Sequence, residues 1–310
     1  MRGLINYGTN CSLNSIVQCL YATPGLHNLL RNGRQGHLSY GSVALTLKCL
    51  LDDMALESQR PCDPNPLVNA LNEHQGFQLF CVQEDADTVF RCILEALTNG
   101  PVKAIRGMWD FETEKCIRCT ACHTTKVKRE KSVTILVHLS NQHVNNLQGY
   151  LESYSQQKDI ASAYNCDTCH AKAKAEITSK VLILPTNVCV VIQRVRNMGR
   201  NSACIVKTEE LFTFPETLDL KCLAKESTEG AEHLYGLYGV VAHRGTHYDG
   251  HNTAYVWNNE SSWYLADDTQ LMACSWQDVQ RTYVGGSALY HEVAYMLMYS
   301  ALARGACYSV

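Results

Sequence analysis

The chain is 310 residues long, 46% hydrophobic and 18% charged, with a formal net charge of −3. That is enough to bury a large core, as one big domain or one domain with a sizeable insertion, and so neutral a balance offers no basic field for nucleic acid. The first 25 residues contain no uninterrupted apolar segment of the export type, and runs such as VCVVI at 188–192 fall far short of the roughly 20 residues of a membrane span.

In GLINYGTNCSLNSIVQCL, Leu13, Ile16, Val17 and Leu20 recur at i, i+3, i+4 and i+7 after Asn10, a residue type that caps helices, so a helix is expected from about Cys11. At a helix start the positive end of the macrodipole and free backbone N–H groups favour thiolate over thiol. Cys11 therefore stands where a nucleophilic cysteine belongs, provided a distant base meets it; without one, a structural role is the commoner fate. A second helix runs through DADTVFRCILEAL, with Asp85 suited to cap it.

Beyond residue 125 the texture turns to strands: SVTILVHLS, KVLILPTNVCVVIQRV, HLYGLYGVVAHRG, HNTAYVWNN and SSWYLADD carry β-branched and aromatic residues between turn signals, with a helix at LQGYLESYSQQ. Helices first and mostly antiparallel strands later give an α+β fold. The basic run KVKREK at 126–131 reads as a solvated hairpin face, and ESTEGAEH at 226–233 as an exposed loop.

Residues 119–123 read CTACH and residues 166–170 read CDTCH. Each matches the c-type haem box C-x-x-C-H, but haem attachment needs an exported chain, and the N-terminus carries no such signal. Without the histidines, the two C-x2-C pairs offer four thiolates to one tetrahedral zinc; Cys116 makes a further C-x2-C with Cys119 and is a rival ligand. Of the sixteen cysteines, Cys19, Cys49, Cys92 and Cys189 sit among apolar neighbours, as reduced buried thiols do. A cytoplasmic chain, or one also nuclear, is expected.

The stretch HRGTHYDGHNTAYVWNNESSWYLADD offers the base. His251 follows Gly250, which permits close approach, and opens a strand that can aim an imidazole. Asp267 and Asp268 end the next strand, and antiparallel pairing would bring one of them beside that imidazole. His247 and His251 are unsuited to act as a metal pair, because YDG between them is poor helix.

These stretches resemble the ubiquitin-specific proteases, papain-like enzymes that deconjugate ubiquitin and its relatives. GLINYGTNCSLNSIVQCL is similar to their cysteine box, QEDADTVFRCILEAL to their glutamine box, and LYGLYGVVAHRGTHYDGHNTAYVW with WYLADD to their histidine box. The likeness continues through LPTNVCVVIQR, FTFPETLDL and AYMLMYS, in order along essentially the whole chain. It implies a single catalytic domain: a helical thumb at about 1–105, a β-stranded fingers insertion at 106–185 and a palm at 186–310.

By the same resemblance, Cys11 is the nucleophile, His251 the general base and then acid, and Asp267 the orienting carboxylate, with Asp268 the alternative. Asn6 matches the donor to the oxyanion, and Gln83 and Asp85 match the box that holds the modifier's C-terminal tail. Cys119, Cys122, Cys166 and Cys169 map onto the ligands of a structural zinc, with Cys122 preferred to Cys116 because Glu130 follows it at the family's distance. Asn252 stands where the family carries an aromatic, which implies a lost wall of the tail channel and no effect on the chemistry. SWQDVQRTYVGG and the compact chain are most similar to the interferon-induced branch. That branch implies cleavage of the interferon-stimulated, two-lobed ubiquitin-like modifier from its conjugates, and damping of signalling at the interferon receptor complex, either beside catalysis or as a non-catalytic scaffold.

Overall fold

The computed structural model describes residues 1–32, 42–76, 83–97, 103–139, 144–156, 159–197, 205–224, 233–246, 249–258, 262–284 and 291–302. His247 and nearly all of the loop expected at 226–233 lie outside the described residues.

The first third is helical: α1 (Cys11–Ala22), α2 (Leu26–Asn32), α3 (Val43–Ala55), α4 (Asn65–Gln75), α5 (Ala86–Ala96) and α6 (Lys103–Gly107). Every residue of α1 from Cys11 to Leu20 is buried, including Ser12, Asn14, Ser15 and Gln18, so α1 is a central helix rather than a surface one. Asn10 occupies the N-cap position without capping. Its Oδ1 accepts the Tyr7 N–H at 2.7 Å and its Nδ2 donates to the Ile5 carbonyl at 3.1 Å, so the side chain ties down the preceding loop instead. Asp85 does cap α5, its Oδ1 accepting the Thr88 N–H at 3.1 Å.

Strands follow: β1 (Phe111–Cys119), β2 (Thr125–Ser132), β3 (Thr134–His138), β4 (Asp159–Asn165), β5 (Lys172–Ile183), β6 (Asn187–Gln193), β7 (Val195–Asn197), β8 (Ile205–Lys207), β9 (Thr217–Asp219), β10 (Leu234–Gly245), β11 (Gly250–Asn258), β12 (Ser262–Asp267), β13 (Gln270–Cys274) and β14 (Val293–Ala301). Two helices, α7 (Leu147–Gln156) and α8 (Trp276–Gln280), lie among them.

Two large sheets result. A four-stranded antiparallel sheet has the order β2-β1-β5-β4. It is a thin, charged ribbon in which KVKREK is mostly exposed and Lys115 pairs with Glu130 across the strands at 2.5 Å. An eight-stranded sheet runs β13-β12-β11-β10-β14-β6-β3, with β9 beside β10. The stretch expected to form the fingers insertion divides between the two. β2 is charged and stays in water, whereas Thr134 and Val137 of β3 are buried, and β3 pairs in parallel with β6 in the large sheet.

The large sheet is covered on both faces, so β10 is buried almost throughout. Val241 and Tyr238 face the core shared with α1 to α6; Val240, Ala242 and Tyr235 face a second core with Phe212, Phe214 and Leu151 of α7. None of the helices in the described residues is long and apolar enough to cross a membrane.

Candidate active site

The start of α1 meets the start of β11. Cys11 is 2% exposed, and His251 is the second residue of β11. Strands β11 and β12 pair antiparallel with Ala254 opposite Ala266, so Asp267, one residue further on, shares a face with His251 as its diagonal neighbour. His251 Nε2 is 2.5 Å from Asp267 Oδ1. Its other ring nitrogen is left for Cys11, with which the imidazole shares a hydrogen bond. Gly250 has a specific reason to lack a side chain: a Cβ there would collide with the His243 ring and the Arg244 carbonyl.

The electrostatics follow from these contacts. The Asp267 hydrogen bond, then that to Cys11, outweigh burial and push His251 up to about 10. Burial pushes the Cys11 thiol up, but hydrogen bonds to His251 and Asn252 overcome it and hold the thiol below its ordinary value. Burial without such partners drives Cys19 up to about 12 and Cys189 well above the ordinary range. The two shifts run in opposite directions and favour the thiolate–imidazolium pair over thiol and neutral imidazole. The acid limb of the kcat/KM profile should lie below the ordinary thiol range, where Cys11 becomes protonated, and the alkaline limb near pH 10, where His251 loses its proton. Asp267→Asn removes the largest cause of the raised imidazole value, so the alkaline limb should move to lower pH, and kcat should fall by up to about 10⁴-fold.

Asp268 is not the primary orienter, since its Oδ2 is 3.8 Å from His251 Nε2. Two asparagines hold it: Asn14 Nδ2 donates to Oδ1 and Asn6 Nδ2 to Oδ2, each at 2.8 Å. Its backbone is left-handed, with φ of 49°, and its carbonyl accepts the Leu4 N–H. Asn6 is thus brought to the site but spends one amide hydrogen on Asp268. Asn14 is a site residue that the sequence reading does not single out; its position at i+3 from Cys11, one turn along the same helix face, is the signal that could have found it. Asn252, expected to matter only to the tail channel, has its Nδ2 3.8 Å from Cys11 Sγ, so the departure from an aromatic reaches the nucleophile.

The ubiquitin carboxyl-terminal hydrolase family model matches residues 2–299. The chain belongs to the ubiquitin carboxyl-terminal hydrolase family. Ubl carboxyl-terminal hydrolase 18 of Mus musculus is 27% identical over 320 residues, covering 96% of this chain and 85% of that protein. The Homo sapiens protein of the same name is 24% identical over 322 residues, covering 96% and 84%. Among solved structures, a chain of the SAGA DUB module Ubp8/Sgf11/Sus1/Sgf73 bound to monoubiquitin superimposes with a TM-score of 0.81 at 20% identity, covering 98% of this chain and 69% of that one. As a member of the family the protein is a thiol-dependent hydrolase.

In this hydrolase a cleft of about 180 Å³ opens beside the triad, between the start of α5 and the large sheet. Gly250 and Asn252, on either side of His251, line it together with Gln83, Asp85, His243 and Tyr295. Gln83 Oε1 accepts the Gly250 N–H at 3.0 Å, and Asp85 Oδ2 accepts the Tyr295 hydroxyl at 2.7 Å. Burial, Lys207 and His251 together push His243 down to about 4, so it is a neutral ring at neutral pH.

At the far end of the charged ribbon, the sulfurs of Cys119, Cys122, Cys166 and Cys169 lie within 4.8 Å of one another. Cys119 to Cys169 is 4.0 Å and Cys122 to Cys166 is 3.6 Å, close to the roughly 3.8 Å edge of a tetrahedron with 2.3 Å metal–sulfur bonds. The two boxes form matching turns: the N–H of His123 bonds back to the Cys119 carbonyl and that of His170 to the Cys166 carbonyl, each histidine being left-handed at φ 59° and 56°. Cys116 sits within β1, paired with Val127 and Thr178, and is outside the cluster. The four thiolates fit a zinc ion, which when bound would cross-link the β1–β2 and β4–β5 turns.

Proposed function

We propose that the protein is an isopeptidase that removes a ubiquitin-like modifier from lysines of conjugated proteins, with the interferon-stimulated two-lobed modifier as preferred substrate. The observation that carries the reaction is the hydrogen-bonded series Cys11, His251, Asp267 beside an open cleft. The Cys11 thiolate attacks the carbonyl carbon of the modifier's terminal glycine and the oxygen takes the negative charge. The His251 imidazolium gives its proton to the lysine nitrogen, the C–N bond breaks, the amine leaves and a thioester remains. His251, now neutral, takes a proton from water; the hydroxide adds to the thioester, and collapse restores thiolate and imidazolium and releases the carboxylic acid, whose remaining proton passes to solvent to give the carboxylate. Asp267 stays ionised and fixes the ring. Gln83 and Asp85 act on the tail in the cleft.

Asn6 and a backbone N–H at the start of α1 donate to the oxyanion. Asn6→Ala should lower kcat by about 10²- to 10³-fold, as loss of one such donor does, while KM changes little; an unchanged kcat would remove Asn6 from the mechanism.

Two relatives named Ubl carboxyl-terminal hydrolase 18, which match this chain over most of their own length, support a ubiquitin-like modifier, and the choice of the two-lobed one rests on the resemblance of SWQDVQRTYVGG to the interferon-induced branch. With it go action on its conjugates, damping of interferon signalling through receptor complex components, and a cytoplasmic or also nuclear location. Ubiquitin is the second reading, favoured by the fold shared with a module bound to monoubiquitin. Ubiquitin and the two-lobed modifier, each with a C-terminal electrophile, should be reacted in parallel. Faster labelling by the two-lobed probe is expected; the reverse order makes this a deubiquitinase, and failure of both rejects the function.

The thumb, fingers and palm division is retained, with β3 transferred to the palm. Cys119, Cys122, Cys166 and Cys169 would hold one structural zinc per chain. Metal analysis should find one zinc and no haem absorbance, and Cys166→Ser should lower the unfolding temperature at full zinc before it lowers kcat, because metal binding there is coupled to folding. Loss of zinc from Cys116→Ser but not from Cys122→Ser would reverse the ligand assignment.

A further inference from the structure

Asn252 contacts the nucleophile twice. Its Nδ2 is 3.8 Å from Cys11 Sγ, and its backbone N–H makes a further hydrogen bond to the same thiol. At 8% exposure the side chain is shielded from water, where a charge-assisted hydrogen bond is worth most. Asn6, the asparagine nearest in role, gives one amide hydrogen to Asp268 Oδ2 rather than to the sulfur. Among the described side chains, the hydrogen-bond partners of the Cys11 sulfur are thus His251 and Asn252.

We infer that the Asn252 side-chain amide is a catalytic donor to the Cys11 thiolate, sharing with His251 the work of holding the charge in the resting enzyme. The inference rests on Cys11 as the nucleophile. An amide does not titrate, so unlike His251 it stabilises the thiolate at every pH and exchanges no proton with the substrate. The charged groups facing this sulfur are His251 from β11, with Asp267 and Asp268 behind it at the end of β12, and Arg244 of β10, whose Nη2 is 3.7 Å from Asp267 Oδ2. Asn252→Ala leaves all of them in place. Asn252→Asp keeps the shape of the side chain and sets a carboxylate against the sulfur.

The test is the pH dependence of Cys11 alkylation by iodoacetamide, read by mass spectrometry on the peptide that carries Cys11, in the full chain. The midpoint should rise by about one pH unit in N252A, with alkylation about tenfold slower on the acid side of both midpoints, and rise further in N252D. In the unsubstituted protein, where folding is not in question, the Asn252 side-chain amide resonances should move through the same midpoint as the thiol. An N252A profile that superimposes on wild type, an N252D midpoint below that of N252A, or amide resonances that stay flat through the transition each overturns the inference. A wild-type Cys11 that titrates as an ordinary thiol overturns the nucleophile and this inference together, whereas a lowered wild-type midpoint left unshifted in N252A overturns Asn252 alone.

Discussion

Cys11→Ala should reduce hydrolysis of a modifier conjugate to background, a loss on the order of 10⁴- to 10⁶-fold, while the protein stays folded. The thiolate forms the thioester, and no other group at the site can replace it: His251 and Asp267 are positioned to move and hold a proton, and Asn6 and Asn252 only donate hydrogen bonds. Stability should change little, by about 1 kcal/mol, since the substitution deletes one sulfur from the end of a helix whose other buried residues stay packed. Circular dichroism and thermal unfolding check the fold, and turnover of an isopeptide-linked substrate checks the loss. Residual turnover near the wild-type rate would mean that another of the sixteen cysteines does the chemistry.

His251→Ala should lower turnover at neutral pH by several orders of magnitude, for two reasons that can be separated. It removes the proton donor to the leaving lysine, and it removes the main hydrogen bond that keeps the Cys11 thiol low against burial. The second loss is reversible by alkali, because hydroxide can make the thiolate that the imidazole no longer holds. Labelling of H251A by an electrophilic probe should therefore recover as pH rises, while isopeptide turnover should not, and C11A should recover neither. His243→Ala is the control. That ring packs against Gly250 in the adjoining strand, held neutral by burial, and its loss should cost less than about tenfold in kcat. A larger effect at His243 than at His251 would mean that the base has been misassigned.

The triad was legible because its parts are local features: Cys11 stands at the start of a strongly periodic helix, and His251 and Asp267 belong to one hairpin whose register follows from strand alternation. The same alternation concealed Asn252. Neighbouring residues of a strand point to opposite faces, yet His251 and Asn252 both reach one sulfur, because the start of α1 meets the first residues of β11. Asn10 does not cap α1 because its side chain has two competing uses, and the loop at 5–7 takes it rather than the helix. The parallel pairing of β3 with β6 joins residues more than fifty positions apart, and no turn signal announces it. The cysteine boxes could be read from spacing, but not the left-handed turns at His123 and His170 that aim the sulfurs at one another.

The most direct test of the central claim is to locate the covalent adduct. The wild-type protein would be reacted with a two-lobed modifier bearing a C-terminal electrophile, digested and fragmented finely enough to separate Cys11 from Cys19, which trypsin leaves on one peptide. The expected result is one adduct per chain, on Cys11, with a rate that rises with pH through a midpoint below the ordinary thiol range as the lowered thiol ionises. An adduct on any other cysteine, or a Cys11 left unmodified while the protein is folded, would contradict it.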